Sequence, residues 1–162
     1  MVEAIGLANE VIMSSKLNKY LLQKKYSYLR LDASNFKTEE ELLNFVGEKL
    51  NKSYDIIEFY APLYSSKKLL KTAKKLRDLT AIFDAVFLIY DRIDIAKLTN
   101  SDGIILDAQT INIPQAREIL EDSCIGFFAQ NEEEAMQAQL NNVDFVITHK
   151  NFSNIQARQF LI

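Results

Sequence analysis

Six short apolar runs in this sequence end on polar or aromatic residues, and those ends carry the side chains able to do chemistry. They are Asp32, residues 60–64, Asp91-Arg92, residues 107–110, Gln130-Asn131 and Thr148-His149-Lys150. His149, the only histidine, has the chemistry of a general acid or base near neutral pH, and can equally stand solvated in a loop. Lys150 beside it can meet a phosphate or face water. Tyr60 and Tyr64 offer rings for stacking on a flat heterocycle, or for capping a core. Cys124 lies in the apolar run Cys124-Ile125-Gly126-Phe127-Phe128 with no basic neighbour to lower its pKa, so a buried core thiol is expected.

The elements that would position these groups follow from periodicity. Strands are expected at residues 28–31, 56–60, 86–90, 104–106, 125–128 and 145–148. Amphipathic segments follow them at 38–50, 66–79, 93–98, 114–120, after Asn131, and at 154–160. Thr38 with Glu41 forms a capping box, Asn131 with Glu134 opens a helix, and Pro114 sits at a helix start where its missing N–H does no harm. Nearly continuous apolar strands separated by helices argue for a parallel sheet covered by helices. Both a (β/α)8 barrel and a doubly wound open sheet satisfy this pattern, and both gather function at the carboxyl ends of the strands. Residues 1–25 read as one or two N-terminal helices ahead of β/α units over 26–162, one domain in all.

Composition narrows the partners. With 48% hydrophobic and 25% charged residues the chain is an ordinary globular one, and a net charge of −3 gives no electrostatic reason to expect nucleic acid. The helix bearing Lys67, Lys68, Lys71, Lys74, Lys75 and Arg77 keeps its apolar residues Leu69, Leu70, Ala73 and Leu76 at helical spacing. Its lysines therefore read as a solvated outer face. No stretch approaches a membrane span and no secretory signal opens the chain, so a cytoplasmic protein is expected, with no membrane partner.

Five segments carry a resemblance. Leu88-Ile89-Tyr90-Asp91-Arg92-Ile93-Asp94-Ile95-Ala96 is similar to I-N-D-R-x-D-L-A. Ser101-Asp102-Gly103-Ile104-Ile105-Leu106 is similar to A-D-G-V-H-L, and Asp107 through Ala116-Arg117 keeps the spacing of G-Q-E-D-L-P-x-x-x-A-R. Ile125-Gly126-Phe127-Phe128-Ala129-Gln130-Asn131-Glu132-Glu133-Glu134-Ala135 resembles I-G-V-S-T-H-N-x-E-E-A, and Asn142-Val143-Asp144-Phe145-Val146 resembles G-A-D-Y-I. In this order the segments resemble the thiamine phosphate synthase/TenI family. The resemblance implies a (β/α)8 TIM-barrel-like fold, here incomplete, with about six parallel strand–helix units and an extra N-terminal helix. The family's last two strands, whose glycine-rich turns help hold a phosphate, find no counterpart. The N-terminal helices, a second copy of the chain, or both are expected to cover the open edges.

The family's synthase joins a thiazole phosphate to an aminopyrimidine pyrophosphate with release of pyrophosphate, chemistry that calls for Mg2+ and cationic or amide donors. The TenI relatives use a histidine-bearing pocket for a thiazole tautomerisation. The resemblance places Asp91 at the metal-binding aspartate and retains Arg92 as a substrate contact, although an arginine there can equally pair with a neighbouring carboxylate. Tyr90 stands for the motif's asparagine and Thr110 for the second metal aspartate. Glu58-Phe59-Tyr60-Ala61-Pro62 aligns with Q-L-R-E-K, Phe128 replaces a serine, and Gln130 replaces the histidine. Much of the catalytic set is thus expected to be altered. Asp107, on the next strand end, can stand in as a metal carboxylate or cap its loop. The expected site is His149 and Lys150 as catalytic groups, Arg92, Tyr60 and Gln130 as substrate contacts, and Asp91 and Asp107 on Mg2+. Three functions follow: a divergent protein binding a small phosphorylated or heterocyclic ligand, a non-catalytic homodimer, or a synthase completed by residues from a partner chain. An open polar mouth favours the first, and a mouth filled by Phe128, Tyr90 and Tyr60 favours the second.

Overall fold

The computed structural model of the protein describes residues 26–162, so the expected helices over 1–25 lie outside the described residues. The chain runs β1 (Tyr28–Asp32), α1 (Glu39–Asn51), β2 (Ile56–Tyr60), α2 (Ser66–Ile82), β3 (Val86–Tyr90), α3 (Ile93–Leu98), β4 (Gly103–Leu106), α4 (Ile113–Ile119), β5 (Cys124–Phe128), α5 (Glu132–Leu140), β6 (Phe145–Thr148) and β7 (Arg158–Leu161). All seven strands are parallel and lie in sequence order. This is a curled, TIM-barrel-like sheet with helices between its strands.

Local chemistry sets each helix. Thr38 accepts the Glu41 N–H at 3.1 Å while the Glu41 carboxylate reaches back to the Lys37 N–H at 3.0 Å, and Asn131 caps α5 through the Glu134 N–H. After α1, α2, α3 and α5 the chain turns through Ser53, Asp84, Asn100 and Asn142, all at positive φ. Short polar side chains tolerate that left-handed backbone, so these turns form without the usual glycine. Helix faces then cover the sheet's outer side: Leu42 and Val46 of α1, Leu69, Ala73 and Leu76 of α2, and Ala135 of α5 are buried against Ile57, Phe59, Phe87 and Ile89. The inner face holds a second cluster of Ile56, Val86, Leu88, Ile105, Cys124, Phe145, Ile147 and Phe160. Cys124 is therefore core, and the lysines at 67, 68, 71, 74 and 75 are exposed.

The last element corrects the sequence reading. Residues 154–160 are expected as helix, yet 158–161 form a seventh strand paired with β6. Phe152 and Ile155 mimic helical apolar spacing, but both are buried anchors of an irregular loop. That loop is fixed by side-chain amides: Gln159 both accepts from and donates to the Phe152 backbone, and Gln139 accepts the Gln156 and Ala157 N–H groups. β7 then meets the opposite edge through side chains. The Tyr26 hydroxyl accepts the Leu161 N–H at 2.9 Å, and the Phe160 ring packs against Tyr26 and Tyr28 with centroids 4.6 and 5.9 Å away.

At the amino ends of the strands one device recurs. Asp55, Asp102 and Asp144, each just before an even-numbered strand, accept the backbone N–H of Ser27, Phe87 and Ile125, at or just ahead of the start of the preceding strand, at 2.7, 2.8 and 2.7 Å. Arg77 of α2 pairs with Asp102, and Arg117 of α4 with Asp144. Two of the motif aspartates are thus structural fasteners on the face opposite the mouth. Asp102→Ala is expected to lower the unfolding free energy by about 2–3 kcal/mol, because a charged acceptor for both an amide and a guanidinium is lost. Asp102→Asn, which keeps one acceptor, should lose less when the two urea midpoints are compared.

Candidate functional site

Side chains alternate across each strand, so Arg30, Glu58, Tyr60, Tyr90, Asp107, Phe128 and His149 share the inner face towards the carboxyl ends. Deepest among them is an ion pair that the sequence reading missed. Arg30 and Glu58 are partners in the β1–β2 register, and Nε and Nη2 of Arg30 reach the two Glu58 oxygens at 2.5 and 3.0 Å. Glu58 is wholly buried. Burial raises its pKa and the Arg30 hydrogen bonds and charge pull it back down. The Tyr28 hydroxyl is also buried beside this pair, without a hydrogen bond of normal geometry, and burial with the Glu58 charge pushes it well above its ordinary value. The visible signal was polar residues at matching depth inside two apolar strands, Leu29-Arg30-Leu31 and Ile57-Glu58-Phe59.

Three rings close over the guanidinium. Its carbon lies 4.8 Å from the Tyr60 centroid, 5.6 Å from Tyr90 and 4.5 Å from Phe128. Tyr60 and Tyr90 themselves meet edge to face at 4.6 Å. The non-catalytic reading expects these three residues to fill the mouth, and they do fill its centre, which leaves the rim as the place for a ligand.

The rim outside this plug holds the carboxylates. Asp91 has φ of 65°, and the Arg92 N–H donates to the Tyr90 carbonyl at 2.8 Å, closing a three-residue turn centred on Asp91. A non-glycine residue held at positive φ outside a helix end is a local cost of the kind found at functional sites. Its own N–H bonds to the Ile105 carbonyl at 2.8 Å, fixing it beside the end of β4. Burial and the Asp107 charge raise the Asp91 pKa, with Arg92 opposing. Asp107 accepts the Tyr90 hydroxyl and the Gln109 N–H, and its backbone exchanges bonds with the Thr110 hydroxyl. It thus caps its loop, and its charge acts on Asp91. The phenol of Tyr90 is correspondingly hard to ionise, being buried and bonded to a carboxylate.

The other expected residues separate. Arg92 forks onto Asp94 at 2.9 and 2.6 Å and touches the Ser66 hydroxyl at 3.1 Å, so it fastens α3 to α2. Gln130 is exposed, and its N–H completes the α5 cap on Glu134. His149 is exposed at the rim, edge-on to Phe128 at 5.3 Å, with Nδ1 3.3 Å from the Ile162 carbonyl. Lys150 is exposed. Beside the plug, at the ends of β1 and β2, a cleft of about 370 Å³ is lined by Asp32, Ser34, Tyr60, Pro62, Leu63 and Tyr64. Lys68 Nζ sits 4.0 Å over the Tyr64 ring.

A parallel, curled β/α sheet with a carboxylate-bearing rim at its carboxyl ends defines a protein of the barrel class. The chain belongs to the thiamine monophosphate synthase (TMP-TENI) family, whose model matches residues 28–153. It is 30% identical over 122 residues to a thiamine-phosphate synthase of Methanococcus maripaludis strain C6, covering 75% of this chain and 58% of that protein. With a thiamine-phosphate synthase of Clostridium perfringens strain 13 it shares 34% identity over 105 residues, covering 64% of this chain and 51% of the relative. Among solved structures, thiamine phosphate pyrophosphorylase from Pyrococcus furiosus superposes with a TM-score of 0.70 at 26% identity, over 82% of this chain and 63% of that one. The chain therefore spans about half to three-fifths of the length of these relatives. No helix among the described residues is long and apolar enough to cross a membrane.

Proposed function

We propose that this protein binds a small phosphorylated or heterocyclic ligand at the rim of its sheet, as a divergent thiamine phosphate synthase/TenI-like protein with little of the standard coupling activity. The reading rests on Asp91 and Asp107 at the ends of β3 and β4, close enough that the Asp107 charge acts on Asp91, with an aromatic cleft at the ends of β1 and β2. Among the described residues no three acidic, histidine or cysteine side chains converge on a metal position. Mg2+ nevertheless commonly takes one or two carboxylates, with phosphate and water completing its shell. Burial and then the Asp107 charge make the ionised Asp91 carboxylate costly, and a cation held between the two carboxylates would offset that cost, so they fit that ion. Bound there, Mg2+ would supply positive charge for a phosphate or pyrophosphate group. Tyr90 holds Asp107 in place, the turn fixes the backbone of Asp91, and Tyr60 and Tyr64 give a face for a ring. The protein would act in the cytoplasm.

A second reading, a non-catalytic family member acting as a homodimer, draws on the filled mouth. The two differ in whether the rim binds a ligand, and both differ from a competent synthase in the fate of substrate. With aminopyrimidine pyrophosphate, thiazole phosphate and Mg2+, folded protein is expected to release pyrophosphate no faster than a protein-free control. Steady release that disappears in Asp91→Ala would show that this residue set supports the coupling, and the divergence would be refuted.

A further inference from the structure

We propose that Glu58, Tyr60, Tyr90 and Phe128 form a receptor for a planar cation, that the Arg30 guanidinium is its resident occupant, and that this self-ligation closes the interior of the sheet to ligands. The geometry is that of a built site. A wholly buried carboxylate lies at one end and takes both edges of the fork, at 2.5 and 3.0 Å. Three rings surround the guanidinium carbon at 4.5 to 5.6 Å, distances at which a ring quadrupole attracts a cation. The Tyr28 hydroxyl is buried beside the carboxylate, without a hydrogen bond of normal geometry among the described residues, one more polar group turned to the same interior. Nothing in this arrangement requires that the cation belong to the chain. The carboxylate, the ring pair Tyr60–Tyr90 and Phe128 come from β2, β3 and β5, and only the occupant comes from β1.

A flat amidinium or guanidinium matches both the two-oxygen edge and the ring faces, whereas a tetrahedral ammonium matches neither the fork nor the stacking. The inference is independent of the rim carboxylates, since Asp91 and Asp107 contribute no contact to the guanidinium.

The test removes the occupant and supplies it from outside. Arg30→Ala is expected to melt well below wild type, and millimolar methylguanidinium should raise its Tm by several degrees while leaving the wild type unmoved. Methylammonium at equal ionic strength should give little or none of this gain, and Arg30→Ala/Glu58→Gln should lose it. If Arg30→Ala does not fold alone, recovery of native near-ultraviolet circular dichroism on refolding with methylguanidinium is the same positive result. No recovery or shift with methylguanidinium, or an equal shift in the wild type, would overturn the proposal.

Discussion

Arg30→Leu is expected to cost about 3–5 kcal/mol of stability at neutral pH, among the largest losses any single substitution in the sheet interior should produce. The reason is the carboxylate left behind rather than the contacts removed. Glu58 is wholly buried, and among the described residues of the wild type its only charged hydrogen-bond donor is the Arg30 fork. Without that donor the raised pKa of Glu58 rises further, because burial acts unopposed. The sign of the pH dependence follows. A carboxyl whose folded-state pKa lies above its unfolded value favours the folded state when protonated, so that contribution is full below the ordinary carboxylate range and lost as pH climbs through the folded value. The variant's deficit should therefore shrink on acidification from neutral pH. Arg30→Leu/Glu58→Leu should recover most of the loss, since a buried pair exchanged for apolar side chains is often neutral. Urea midpoints of the three proteins at neutral and mildly acidic pH decide the matter: a deficit independent of pH, or no recovery in the double variant, would assign the loss to packing.

Phe160→Ala should cost about 3–5 kcal/mol, the usual range for emptying a buried phenylalanine site. Its ring is fully buried and touches Phe145 at 5.3 Å as well as Tyr26 and Tyr28. The substitution therefore tests β7 as the element that joins the two edges of the sheet. Ile155→Ala, in the loop before it, removes a smaller side chain from a less enclosed place and should lose less. Equal losses at the two positions would mean that 158–161 is no more tightly held than the loop.

How far the sequence disclosed this molecule depended on whether a signal was local. Six strands and the helices after the first five of them were legible because apolar runs, the Thr38–Glu41 box and the Asn131 cap are written in adjacent residues. β7 was misread because a four-residue strand has too little alternation to outweigh the three-residue spacing of Phe152 and Ile155, and because its backbone is fixed by Gln139 and Gln159, partners of non-local or irregular kind. At the site, Asp91, Asp107 and Tyr60 could be found from strand ends alone. Arg30 and Glu58 could not, since they meet only once the β1–β2 register is set, although their depth within apolar strands was visible. Arg92, Gln130 and Lys150 lay at strand ends too, but their immediate surroundings place Arg92 on Asp94, Gln130 on the α5 cap and Lys150 at the surface.

The central claim, that the rim carboxylates hold a phosphorylated ligand, is tested most directly by calorimetric titration of inorganic pyrophosphate into the protein with and without Mg2+. Saturable binding that requires Mg2+, weakened at least about tenfold in Asp91→Ala, a loss of roughly 1.4 kcal/mol, is the predicted result. Binding of equal strength in wild type and Asp91→Ala, or no Mg2+-dependent heat in either, would contradict it.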